Sequence, residues 1–509
     1  MIKRILFGTG LILFMLLDTS CKKWLDLQPI DGITRQEFWR TEEDLAAALN
    51  GCYSSMVGPP PGVKADAADG GGRPLSTTIF LWGEVRGDMV VPNDLATAEQ
   101  VDIKDMVNVN TVSTSRLVTW AGLYRTINYC NTVIEFAPTV KQNDPTMTDA
   151  KYNSYVGEAL AIRSLMYFYL ARTFRDVPLK LKATSKDSDV SEIGKANHTE
   201  VLNQIVADLK QAEPMVPLKH SADPAVNKSR ITRLAINALL ADVYLWMEKY
   251  DECIAECDKV LSYSVSNPSE LSVIPASSTW WTEVFQKGFS REAIFELAHK
   301  YNNTNVYVNS YGAFINFRFK ASPVLTSDFF PSDPSTDFGF DVREFEYFGS
   351  STGLIFKFLN SQTEVYNFPV YRLPDVLLMK AEALAYSDRG AEALDDIIKP
   401  FRLIREAVKS SQQTPDPTDK DGVGEYVLAE RGRELAFEGK RWFDLLRYAK
   451  RDNYAHLSIL LNVLTQTVAP ANQQSAIGKY RDYNSHYLPI NQADIFADTK
   501  LVQNPFYER

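Results

Sequence analysis

Residues 430–447, ERGRELAFEGKRWFDLLR, hold the densest group of side chains able to do chemistry in this sequence. Glu430, Glu434 and Glu438 recur at i, i+4 and i+8, so on a helix they form one carboxylate ridge. Two carboxylates ~5–9.5 Å apart are all that a glycosidase needs. Here, however, the carboxylates come with cations. Arg431, Arg433, Lys440 and Arg441 are local, and Arg402 and Arg405 are in reach from the preceding helix. Such neighbours lower carboxyl pKa values, which is the wrong direction for a general acid. The run therefore reads as an ion-paired helix end, a glycine break at Gly439 and a second short helix. On that second helix Trp442, Phe443, Leu445 and Leu446 form an apolar face, and Asp444 and Arg447 are spaced to pair.

Other reactive groups are sparse. No G-x-S-x-G, H-E-x-x-H or P-loop occurs, and Gly70-Gly71-Gly72 is followed by Arg73-Pro74 rather than by a helix. The five histidines are scattered. Cys253 and Cys257 stand at i, i+4 with no histidine nearby, which suits two small hydrophobes on a packed helix face. Cys52, Cys130, Cys253 and Cys257 are too few for a disulfide scaffold in a chain of 509 residues. No catalytic residue, metal site or cofactor is expected. A net charge of −10 with no basic block argues against nucleic acid and against an electrostatic grip on anionic lipid.

Two helix-turn-helix units carry the periodicity of tetratricopeptide (TPR) repeats. From Ile231 to Leu261, Leu234, Ala238, Ala241, Tyr244 and Leu245 line one helix. A Lys249-Tyr250-Asp251 turn then leads to Cys253, Ile254, Cys257 and Leu261. From Leu373 to Ala407 the pattern recurs around a break at Asp388-Arg389-Gly390. An earlier helix, Gly157 to Phe174, takes the segment from Leu117 to Phe136 as its partner. Each pair has a face it cannot bury alone, so the pairs should stack into a curved scaffold. Two inserts, residues 57–110 and 264–367, interrupt this grammar and are expected to be irregular. The second is too aromatic for disorder and should fold as a capping lobe.

The inserts also hold the groups suited to a sugar, whose C–H faces stack on rings and whose hydroxyls need amides and charges. Trp82, Arg86 and Asp88 combine an aromatic plate with hydrogen-bonding groups, and Tyr307 and Tyr311 add flat rings. Trp281 reads as core. At the N-terminus, Lys3 and Arg4 precede an apolar run, Ile5 to Leu17, that is too short to span a bilayer as a helix. It ends at Asp18-Thr19-Ser20-Cys21, which suits lipoprotein processing at Cys21. Asp18 departs from the usual aliphatic residue, and an ordinary signal peptide is the other reading.

The 430–447 run resembles the C-terminal signature of the SusD/RagB family, surface lipoproteins of Bacteroidetes nutrient uptake. Glu430, Arg431, Glu434, Leu435, Phe437, Glu438, Gly439, Arg441, Asp444, Leu445 and Arg447 carry the match. His486–Ile490 and Leu501–Tyr507 resemble the family's closing pattern, with Asn491 and Phe506 as departures. The resemblance runs from Cys21 to Arg509. It implies a mainly α fold, a TPR-type scaffold with a loop-rich capping lobe, in which a signal peptide (1–20) precedes an N-terminal region (21–215) and a C-terminal region (216–509). The TPR helices of the latter are expected at 231–261 and 373–450. It further implies a non-enzymatic, lipid-anchored protein of the cell outer membrane that binds an oligosaccharide and delivers it to a SusC-like TonB-dependent transporter. A peptide cargo, as in the RagB branch, and a surface glycoside hydrolase are the alternatives.

Overall fold

A computed structural model describes residues 38–58, 72–185, 191–277, 279–300, 311–330, 341–358, 365–406 and 413–508. In the first half, helices α1 (Glu42–Val57), α2 (Leu75–Gly83), α3 (Ala98–Val107), α4 (Ala121–Asn143), α5 (Asp149–Phe174) and α6 (His198–Ala212) enclose a short strand, β1 (Val90–Pro92). Three further helices follow, α7 (Pro224–Ser229), α8 (Arg233–Trp246) and α9 (Tyr250–Ser266). The next region carries β2 (Ala293–Lys300), α10 (Tyr311–Arg318), β3 (Phe319–Ala321), α11 (Val342–Tyr347) and β4 (Val365–Arg372). The last third returns to helices: α12 (Leu373–Tyr386), α13 (Lys420–Leu435), α14 (Arg441–Tyr454, broken at Arg451–Asn453), α15 (Ser458–Thr467), α16 (Pro470–Tyr480) and α17 (Gln492–Ala497).

The expected helix pairs are present. α8 is covered on all sides, and every residue from Leu234 to Trp246 is buried, Asn237 and Asp242 among them. Thr232 caps it by accepting from the Ala235 N–H, and Glu248 at φ +59 makes the turn into α9. Packing then runs in an unbroken chain, α1 on α4, α4 on α5, α5 on α6, α6 on α8, α8 on α9, α9 on α12 and α12 on α13. Cys253 and Cys257 are buried on α9, as packed residues.

The inserts are more ordered than their sequences suggest. The first contains α2, α3 and β1, and all nine residues of α2 are buried. β1 pairs antiparallel with β3 in the register Val90↔Ala321, Val91↔Lys320, Pro92↔Phe319, so the two inserts share a sheet. β2 pairs antiparallel with β4, which runs directly into α12. Trp280, rather than Trp281, is the fully buried indole. It stacks on Tyr347 with centroids 5.8 Å apart, while Trp281 is half-buried.

The carboxylate ridge does not continue on one helix. α13 stops at Leu435, where Ala436 turns out of the helix at φ −47, ψ 134; Phe437 and Gly439 then take positive φ, and Glu438 lies in the link to α14. All three glutamates still meet one buried ionic cluster. Glu434 accepts from Arg372 at 2.5 Å, Arg405 at 2.9 Å and Arg343 at 3.0 Å. Arg372 also binds Glu438 at 2.7 Å, which Lys357 holds from another side at 2.7 Å. Glu430 takes Arg343 at 2.8 Å and Arg433 at 2.9 Å. Arg405 reaches Glu292 at the start of the β2 region at 2.8 Å. A second cluster joins Arg431 to Asp375 and Asp444, each at 2.9 Å, and Arg447 to Asp444 at 2.8 Å and Glu382 at 2.6 Å. Arginines close around these acids hold the carboxyls of Glu434 and Glu382 far below the usual range, and Glu430 down to about 2. Lys440 and Arg431 hold Asp375 at about 2 in the same way.

Gly439 sets how closely α2 approaches this region. A Cβ there would lie 2.4 Å from Ile79 Cγ2, one on Gly83 would collide with the Gly439 carbonyl, and Gly439 has φ +72. The Gly439 N–H donates to Glu84 Oε1 at 3.0 Å. Gly439→Ala is therefore expected to cost about 1–3 kcal/mol from backbone strain alone, before the clash. Differential scanning calorimetry should show a lower Tm, by about 1–3 °C from the strain alone and by more with the clash. Gly478→Ala, with nothing within 4 Å of its Cβ, should leave Tm unchanged or slightly raised; equal Tm losses in both variants would contradict the account.

The acid limb follows from the clusters. A carboxyl depressed in the folded state stabilises above its unfolded pKa, and that contribution disappears as pH falls through the folded value. With Glu430 and Asp375 at about 2, the loss falls between roughly pH 4 and 2 and is on the order of 3 kcal/mol for each group. Urea midpoints measured by circular dichroism should drop steadily across that interval. A flat profile from pH 4 to 2 would show that the acids are not held ionised.

Candidate functional site

The residues that sequence spacing singles out for ligand binding separate into two groups. Trp82 lies in α2 as a core ring, not as an exposed plate. Its Nε1–H donates to the Leu117 carbonyl at 2.8 Å, and its ring meets Phe174 edge-on at 5.2 Å. The cause is α2 itself, which carries no charged side chain and is buried around its whole circumference. Arg86 and Asp88 are equally committed. Asp88 binds Arg441 Nε at 2.7 Å and Nη2 at 2.8 Å. Arg86 stacks on the neighbouring Trp442 at 4.2 Å and donates to the His486 carbonyl at 2.6 Å. The pair clamps the link after α2 onto the start of α14, so none of these three side chains meets solvent. Tyr311 is the first residue of α10, whereas Tyr307 and Cys21 lie outside the described residues.

What does face solvent is the seam where the inserts meet. Beyond β1, the Asn93 side-chain amide donates to the carbonyls of Asn316 at 3.0 Å and Phe317 at 2.9 Å, fixing the end of α10. Gln100 on α3 donates to the Asn93 and Arg318 carbonyls at 2.8 and 2.9 Å. Glu99 sits between two guanidiniums, with Arg73 Nη2 at 3.1 Å and Arg318 Nε at 2.7 Å. The Arg318 guanidinium lies 4.3 Å from the buried Phe314 ring and 5.7 Å from Phe317. Phe317 is thereby held on the surface at 56 % exposure. Nearby Leu354 is also exposed, and it adjoins Ile355, whose N–H donates to Asn316 Oδ1 at 2.8 Å.

This seam can present an apolar ring, flanked by charges, to the C–H face of a ligand. Its carboxylates are poorly placed for acid catalysis. Glu99 is shared by two arginines, and Lys104 at 2.6 Å holds the Asp94 carboxyl below its ordinary value. Phe317 and Arg318 escaped the sequence reading because Phe314 and Phe317 are alike by type. Only the packing of α10 decides which of the two is exposed.

A groove of about 360 Å³ lies between the start of α4, residues 178–184 and α17, with Trp120, Tyr124, Asn128, Asn131 and Asp494 in its wall. Its polar groups are largely used internally. The Asn128 amide donates to the Thr184 carbonyl at 3.1 Å and its oxygen accepts the Thr184 N–H at 2.7 Å. Asn131 is consumed by the Lys180 and Lys182 carbonyls and by Arg163. Among the described residues, no three or more His, Cys, Asp or Glu side chains are grouped to hold a metal ion, and no helix is long and apolar enough to cross a membrane.

Comparison with known proteins agrees with this architecture. Residues 349–507 match the profile of the SusD family, and residues 65–245 match one described as starch-binding associating with outer membrane. SusD-like protein P38 of Formosa agariphila is 25% identical in an alignment 486 positions long that covers 85% of this chain and 88% of the relative. SusD-like protein P2 of the same organism is 23% identical, over 83% of this chain and 87% of its own. A solved SusD superfamily protein of Bacteroides vulgatus superposes with a TM-score of 0.71 at 20% identity, over 92% of this chain and 100% of that one. A laminarin binding SusD-like protein does so with a TM-score of 0.63 at 21% identity, over 92% and 99%. With family profiles matched at residues 65–245 and 349–507, and the described helices superposing on solved SusD superfamily structures, the chain belongs to the SusD/RagB family.

Proposed function

We propose that this protein is a non-catalytic glycan-binding lipoprotein of the outer membrane that takes up an oligosaccharide on the insert seam and passes it to a SusC-like TonB-dependent transporter. The observation that carries the reading is Phe317. It is a large ring held exposed by the Glu99–Arg318 pair, on the one surface where both inserts are tied together by β1 and β3. A ring in that position stacks on a sugar face without any covalent chemistry. The fold likeness to a laminarin binding protein supports a glycan as cargo. Sealing of Glu430, Glu434 and Glu438 inside an arginine cluster supports binding without hydrolysis, since these acids are buried and held ionised. The Cys21 segment suits a lipid anchor, and a starch-binding, outer-membrane-associated family profile over residues 65–245 supports the location.

Affinity electrophoresis against a polysaccharide panel that includes laminarin should retard the protein and return the polysaccharide unshortened; shortened products would overturn the non-catalytic reading. Phe317→Ala, at an exposed site, should fold normally. Loss of a stacked ring worth about 1.5–3 kcal/mol should weaken retention by roughly tenfold to a hundredfold. Unchanged retention removes the seam from the binding site. In cells fed a radioactive fatty acid, wild-type protein should take up label and Cys21→Ala should not; label on the variant would refute the anchor.

A further inference from the structure

A separate cleft of about 210 Å³ lies beside α7, walled by residues 218–222, the end of α9 with Ser269–Leu271, and the approach to β2. It shares no residue with the insert seam. Three cations, Lys219, Lys228 and Arg291, line it against one carboxylate, Glu270. That balance is notable in a chain of net charge −10.

The carboxylate already has a cation and a hydroxyl on it. Lys219 binds Glu270 Oε1 at 2.5 Å, and the Tyr263 hydroxyl donates to Oε2 at 2.7 Å. The other two cations lack an acid. The Lys228 ammonium donates to the backbone carbonyls of Glu270, at 3.2 Å, and Ala293, which leaves one of its three protons. No carboxylate stands within ion-pair distance of Lys228 or Arg291 among the described residues. Burial pushes the Lys228 amine down to about 8, with the Glu296 and Glu270 carboxylates offsetting only part of that cost from beyond contact distance.

The neighbouring groups narrow the ligand further. Asn227 is spent on the His220 and Ser221 N–H groups and the Ser221 carbonyl. Lys228 and Arg291 are therefore the charged groups left over, and both are donors suited to an anion, while Glu270 and the Ser221 and Ser269 hydroxyls can still take up sugar hydroxyls. Two half-buried rings, Tyr263 and Phe289, complete the wall. Phe289 is held at φ +52, a conformation that costs a non-glycine residue energy, and its N–H is pinned by Glu296 Oε2 at 2.7 Å. The strain fixes the chain where the ring lines the cleft.

We propose that this cleft is a second ligand site, which takes one acidic sugar ring: the carboxylate or sulfate on Lys228 and Arg291, the ring against Tyr263 and Phe289. Its volume suits a single monosaccharide unit. The site would let the protein prefer glycans bearing acidic residues, independently of what the seam binds.

Titration calorimetry of the full-length protein with glucuronate, glucose and inorganic sulfate tests this. Glucuronate should saturate one site, glucose should give no heat, and sulfate should compete at least tenfold more weakly. Arg291→Gln, at an exposed position, should weaken glucuronate at least tenfold without lowering Tm, and Lys228→Met should do the same where it folds. Phe317→Ala should leave glucuronate binding intact, which separates this site from the seam. Equal heats for glucose and glucuronate, or unchanged affinity in Arg291→Gln, overturn the proposal. Sulfate binding as tightly as glucuronate overturns the sugar ring and leaves a bare anion site, and loss of glucuronate in Phe317→Ala places the ligand at the seam instead.

Discussion

The fold depends on the shell of cations around Glu434. A carboxylate this deep carries a desolvation penalty of several kcal/mol, and so does each guanidinium beside it. The arrangement is stable only when all partners arrive together, because any one left unpaired is more costly than the pair is favourable. Those partners come from separate parts of the chain. Arg343 is on α11 in the capping lobe, Arg372 is where β4 becomes α12, and Arg405 follows the helical turns at 390–404. The lobe and the helical scaffold are thus locked to each other at one point, and neither can settle without the other. A device of this kind specifies one arrangement more than it adds net stability.

A second lock works by shape and geometry. Gly83 and Gly439 let α2 and the link before α14 touch backbone to backbone, and Glu84 closes the contact by accepting the Gly439 N–H. Directly after it, Asp88 forks onto Arg441 and Arg86 lies flat on Trp442. Two residues of the first insert therefore read two consecutive residues of the C-terminal block. Since β1 follows immediately and pairs with β3, fixing Asp88 also fixes the position of the insert seam. Position is passed from the ionic core outward to the surface that carries Phe317.

How far the sequence foretold this depends on the range of each interaction. Helix pairs were legible because their apolar periodicity is local, and α4 with α5, and α8 with α9, stand where the spacing puts them. The Asp444–Arg447 pair and the reach of Arg405 into the acids were legible for the same reason. The decisive cations Arg343, Lys357 and Arg372 were not, since they lie 62 to 91 residues from the glutamates they bind. Trp82 was misplaced because an indole beside Arg and Asp looks like a binding plate, while the run LSTTIFLWG holds no charge and packs Ile79, Phe80, Leu81 and Trp82 in succession, so it belongs inside. Short strands such as β1 leave almost no pattern, and its partner β3 is more than two hundred residues away.

The same separation explains where recognition can reside. Around the acid clusters, charged groups are matched: Asp88 takes Arg441, Glu382 takes Arg447, and Asp375 takes Arg431. The chemistry of the 430–447 block is consumed by that matching. Some polar atoms stay without a partner, among them Glu84 Oε2 and Arg86 Nη2, but these are buried. Groups that are both unmatched and reachable lie at the edges of the scaffold, where a ring or a cation has been held in place by neighbours but not used by them. Phe317 is held by Arg318 and Glu99, and Lys228 by two backbone carbonyls. A frame whose ion clusters close on themselves leaves such edge residues free to change without disturbing it.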